Sequence, residues 1–165
     1  MNLTKTQMMQ LVGQGACVES FHHATLGMFD VSMLRLIASK LKERGHKPLT
    51  CRFEDVRAEV ANVDPLDFLI ANREVDRERV KTLTDEQLED EMIFILCPPG
   101  TNGVGETHLL VDGVHRMVAR KERGKEDFNY WLVPLDCAPM VRPGSFIDVP
   151  WGEKEVRDGK LQPRH

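Results

Sequence analysis

Apolar positions recur along this chain with two different spacings, and the texture changes near residue 50. In the first part, TKTQMMQLVGQG sets Met8, Leu11 and Val12 at helical intervals and ends in glycines. DVSMLRLIASKLKERG then places Leu34, Ile37, Ala38 and Leu41 on one face, with Gly45 as the stop. Both runs predict helix, so residues 1–50 read as a helical N-terminal extension packed on the body that follows. HKPLTCRFEDVRAEV is mixed and fits either a strand or a short helix. VDPLDFLIANR predicts a strand, because Leu66, Phe68 and Ile70 alternate behind a proline that favours extended backbone. DRERVKTLTDEQLEDE predicts a polar helix resting on Val80, Leu83 and Leu88. EMIFILC is apolar throughout and predicts a buried strand, and PPGTNGVGE is a turn-rich loop. THLLVD, GVHRMVARKERG and NYWLVPLDC then predict strand, helix and strand. The expected class is α+β, a small mixed sheet with packed helices over residues 51–137. Residues 138–165, rich in proline, glycine and charge, read as an irregular C-terminal arm that Phe146, Ile147 and Trp151 would dock.

Composition narrows the function classes. A chain of 165 residues buries a core without metal or disulfide staples. Its formal net charge is −4, with no long run of one sign, so a grip on nucleic acid by bulk charge is not expected. Any phosphate site has to be local. Cys17, Cys51, Cys97 and Cys137 are widely spaced, without a CxxC pair, and read as reduced, mostly buried thiols. The adjacent His22 and His23 would point about 100° apart on a helix and so would not share a ligand. With no signal-like start and no apolar run near the ~20 residues that span a bilayer, the expected location is cytoplasmic, with no membrane partner.

The chemistry concentrates in HLLVDGVHRMVARKERG, residues 108–124. Val114, Met117, Val118 and Lys121 form a helical stripe whose first three members would be buried. His115 and Arg116 then face away from that core, in the first turn. A strand handing over to a helix leaves backbone N–H groups without intrahelical acceptors, and the helix dipole adds partial positive charge. Gly113 permits a tight turn and close approach of a ligand to the backbone. Together with the Arg116 guanidinium these make an anion cradle. Asp112 reads either as a helix cap or as a metal ligand. The ordinary alternative is that Asp112 caps, Arg116 is solvated and His115 is a surface histidine.

In its order of elements, LLVDGVHRMVARKERG followed by a strand with WLVP resembles the signature of the ParB/sulfiredoxin superfamily. The resemblance extends upstream through PLDFLIANREVDRERVKTLTDEQLED and EMIFILC, and covers roughly residues 63–136. It implies a nucleotide-binding protein whose phosphates are held at Gly113, Val114, His115 and Arg116. Val114 stands where a sulfiredoxin carries its cysteine, so sulfinic-acid repair is not implied. The D-G-x-H-R pattern is closer to the free-serine kinase branch, which uses an acidic residue after its first strand as a base. That points to ANREVD, residues 71–76. Glu74 becomes the expected catalytic base alongside His115, Arg73 either pairs with it or reaches the phosphate, and Asp76 either caps the next helix or joins Asp112 in holding Mg²⁺. The implied cofactors are ATP or another nucleotide and magnesium. The implied partner is a small-molecule or DNA phosphoryl acceptor, and the activity a phosphotransferase (kinase) or NTPase. The alternative is a ParB-like nucleic-acid-associated binding or nuclease module of partition, modification or phage systems, for which the sequence offers a modest basic cluster, Lys40, Lys42, Arg44, His46 and Lys47.

Overall fold

The computed structural model describes residues 4–14, 16–23, 26–56, 74–98, 108–141, 156–157 and 160–161. The chain is mixed α and β, with small sheets and several helices, and divides into two compact units. One is His46–Cys137; the other combines Met1–Gly45 with Ala138–His165.

In the second of these units, α1 (Lys5–Gly13) opens with Thr4, which forms a reciprocal capping box with Gln7. The chain then forms β1 (Ser20–His23) and β2 (Gly27–Asp30), an antiparallel pair, before α2 (Val31–Glu43). The wholly helical reading of residues 1–50 is thereby corrected. The physical reason is local: Phe21 and Phe29 lie directly opposite and stack at 6.5 Å, and Gly27 turns the chain at φ 105°. The Asp30 carboxylate caps α2, accepting from Met33 N–H at 2.9 Å and from the Ser32 hydroxyl at 2.7 Å. His22 and His23 fall on successive strand positions, and His23 Nδ1 accepts from Leu26 N–H at 3.1 Å.

In the His46–Cys137 unit, HKPLTCRFEDVRAEV starts as strand and then turns: β3 (Leu49–Arg52) runs into a 3₁₀ turn, Phe53–Asp55. The strand expected at residues 66–70 lies outside the described residues. The polar helix predicted after it is two helices, α3 (Arg77–Thr82) and α4 (Asp85–Leu88). Thr84 breaks the run because its extended backbone and its capping box with Gln87 start a new helix. Next come β4 (Met92–Leu96), β5 (His108–Asp112), α5 (Val114–Glu122) and β6 (Asp127–Pro134), ending in a 3₁₀ turn, Leu135–Cys137.

The four strands form one sheet in the order β3-β6-β4-β5. β4 runs parallel to β6, and the other two pairings are antiparallel. Met92 and Phe94 of β4, Leu110 of β5 and Phe128 of β6 pack with Val114 and Met117 of α5 and with Phe53, forming the main core. Val118 and Ala119, on the neighbouring side of α5, pack with Val80 of α3 and Leu88 of α4. One helix therefore faces both the sheet and the α3–α4 pair.

After this unit the chain joins β2: Met140 bridges Phe29, Asp30 N–H donates to Pro139 O at 2.9 Å and Val141 N–H to Met28 O at 3.0 Å. Farther on, β7 (Val156–Arg157) and β8 (Lys160–Leu161) pair antiparallel, so the expected arm is not irregular throughout. Among the described residues no helix is long and apolar enough to cross a membrane.

Candidate functional site

The β5–α5 turn is built by a bulge and a glycine. Leu110 pairs with Phe94 while Asp112 pairs with Ile93, which leaves Val111 as an extra residue just before the turn. Gly113 follows in the left-handed region, at φ 106° and ψ 19°, and is the N-cap of α5. Its carbonyl accepts from Met117 N–H at 2.8 Å, closing the first helical turn. The cap position belongs to Gly113 and not to Asp112, so the cap itself brings no side-chain acceptor to the N–H groups of residues 114–116. These N–H groups have no acceptor within the helix, and they sit at the positive end of its dipole.

The space beside the Gly113 Cα is filled by the protein's own side chains. A Cβ there would come within 2.7 Å of Met92 Cγ and 3.1 Å of Arg116 Nη2. Arg116 therefore does not face away from the body, as helical periodicity implies; it folds back over the turn. Its Nη2 donates to the Glu91 carbonyl at 3.0 Å and to Asp112 Oδ2 at 3.4 Å. The Arg116 and Asp112 side chains are 18% and 9% exposed. Arg116 Nε is buried and meets no acceptor among the described residues. Val114 points into the main core, so it can offer a ligand only its backbone N–H.

His115 reaches the other sequence element singled out for chemistry. Its Nε2 accepts from Asp76 N–H at 3.1 Å, which fixes the neutral tautomer with the proton on Nδ1. Asp76 in turn caps α3, its Oδ1 accepting from Glu78 N–H at 3.0 Å and Arg79 N–H at 3.3 Å. Glu74, two residues upstream, is exposed. The acidic segment and the start of α5 are thus fastened together, although 39 positions separate Asp76 from His115. Arg73 lies outside the described residues.

Both carboxylates proposed for magnesium are already engaged, Asp76 as a helix cap and Asp112 as the partner of Arg116. Among the described residues no three His, Cys, Asp or Glu side chains gather as a metal site. Sequence reasoning missed the Glu91 carbonyl and Met92, which hold and floor the turn. A backbone acceptor leaves no mark in side-chain chemistry, and Met92 reads simply as part of a buried strand.

Compared with protein-family models, with curated proteins and with solved structures, the chain matches none. What the turn can do follows from its own residues: it offers oriented backbone donors, an arginine and a neutral histidine, with an exposed carboxylate on the segment the histidine holds.

Proposed function

We propose that the His46–Cys137 unit binds the phosphate groups of a nucleotide at the β5–α5 turn, and that the protein is a nucleotide-dependent phosphotransferase or NTPase. The observation that carries this reading is the Asp76 N–H···Nε2 His115 hydrogen bond, because it attaches the segment bearing Glu74 to the turn bearing Gly113, His115 and Arg116. Phosphoryl transfer needs positive charge to spread the load on the phosphate oxygens and a base to take the proton of the attacking hydroxyl. Backbone N–H groups of residues 114–116 and the Arg116 guanidinium supply the first. Glu74, exposed and unburdened by a helix cap, supplies the second. Neither Asp76 nor Asp112 is left to hold magnesium in this arrangement, so any metal would arrive on the nucleotide's own oxygens.

Calorimetric titration with ATP and magnesium tests the reading. Wild type binds; Arg116→Ala binds at least about tenfold more weakly, the loss of one charge-assisted contact. Glu74→Gln retains binding and loses turnover. Binding unchanged in Arg116→Ala would remove the turn from consideration.

A further inference from the structure

Asp112 is not the cap of α5 and belongs to no metal-ligand cluster among the described residues, yet it is a buried carboxylate at the end of a strand, paired with Arg116. We infer that Asp112 is the internal counter-anion of Arg116, and that it restricts the turn to ligands carrying two or more negative charges on one terminal group. The inference rests on the phosphate-binding reading above. In the structure the guanidinium is held back: Nη2 donates to the Glu91 carbonyl and to Asp112 Oδ2, while Nε is buried and meets no acceptor among the described residues. The carboxylate is only 9% exposed and anchored by β5, so it stays where it is.

An arriving anion must therefore compete with Asp112 for the same cation. A single negative charge in a more solvated position offers Arg116 nothing that the buried carboxylate does not already give, and like charges side by side repel. A terminal phosphate or pyrophosphate has more charge and several acceptor oxygens. It also satisfies the Nε donor, whose burial without a partner is costly in the held-back arrangement. The device separates two chemical classes of phosphate. A nucleoside di- or triphosphate or a phosphate monoester passes, whereas a phosphodiester, with one charge per phosphate, does not.

The test uses the full-length chain, with inorganic pyrophosphate and dimethyl phosphate as probes and EDTA present so that no metal contributes. Calorimetry on wild type is expected to show pyrophosphate binding and no dimethyl phosphate binding. Asp112→Asn, which keeps an acceptor of the same shape but removes the charge, is expected to bind pyrophosphate about tenfold more tightly and to admit dimethyl phosphate, as loss of one repelling charge requires. Discrimination that persists in Asp112→Asn overturns the inference and leaves the phosphate reading standing. Failure of wild type to bind pyrophosphate at all overturns that reading itself. Pyrophosphate binding that appears only with magnesium, and is lost in Asp112→Asn, makes Asp112 a metal ligand and also overturns the inference. Should Asp112→Asn fail to fold, the Arg116 Nε–H resonance of wild type decides. It moves downfield with pyrophosphate and stays put with dimethyl phosphate if Asp112 acts as described, and a resonance unmoved by pyrophosphate sinks the idea.

Discussion

Gly113 carries two demands at once: a positive φ, and a Cα against which Met92 and Arg116 close. Gly113→Ala meets both penalties, left-handed backbone strain and a Cβ 2.7 Å from Met92 Cγ. Denaturant unfolding is expected to show a loss of about 2–4 kcal/mol, the sum of the two. A value under about 0.5 kcal/mol, as for an ordinary surface change, would mean the turn relaxes freely. The need for glycine was legible in the sequence because a strand-to-helix turn has few other solutions. The fate of Arg116 was not: helical spacing gives the direction of the Cα–Cβ bond, while a side chain this long can swing back to a backbone carbonyl. Cys17 shows chemistry that residue type alone hides. Burial and the nearby Asp30 carboxylate push its thiol up to about 12. Because the folded value lies above the unfolded one, near 9.0, this thiol's contribution to stability is complete below pH 9 and is lost as pH rises toward 12. Alkylation at pH 8 followed by mass spectrometry should label exposed Cys137 first and Cys17 last. Early labelling of Cys17 in folded protein would contradict its burial.

At the scale of elements, α5 shows why some of the fold reads directly from sequence and some does not. Val114, Met117 and Val118 are buried as their spacing predicts, and Lys121 remains exposed with its ammonium 5.3 Å from the Phe53 ring centroid. The spacing gave no hint that Arg120 is buried as well. Its Nη1 donates to the Leu88 carbonyl at 2.8 Å and its Nε to the Asp127 carbonyl at 2.8 Å, with Nη2 on the Asp127 carboxylate at 3.2 Å. One guanidinium thus pins α5 to the end of α4 and the start of β6, a role periodicity cannot assign because arginine counts as polar. Arg120→Met keeps most of the stem and strands two carbonyls, so a loss of about 2–4 kcal/mol is expected by thermal or chemical unfolding. A loss below about 1 kcal/mol would show that water replaces these bonds at little cost. The β1–β2 pair was hidden for a related reason. Four-residue strands are too short to establish a period against the helices on either side, and their pairing depends on contacts such as Phe21 with Phe29.

For the molecule as a whole, the competing nucleic-acid reading turns on charge. The formal net charge is −4, and the clearest basic cluster is Lys40, Lys42, Arg44, His46 and Lys47 at and beyond the end of α2. Lys40 and Lys42 lie in the last turn of that helix, where cations favourably face the negative end of the dipole. That role explains them without DNA. If the cluster nevertheless met duplex DNA, its four lysine and arginine side chains would give a steep salt dependence, with affinity falling about two orders of magnitude between 50 and 150 mM salt. Gel retardation of duplex DNA is therefore expected to show at most a weak shift at 50 mM salt and none at 150 mM. The β5–α5 turn is not expected to rescue binding, since each phosphodiester brings a single charge to a guanidinium already paired with Asp112. Retention that survives 150 mM salt and disappears in a Lys40→Glu, Lys42→Glu variant, while Arg116→Ala leaves it intact, would move the function from the β5–α5 turn to the end of α2.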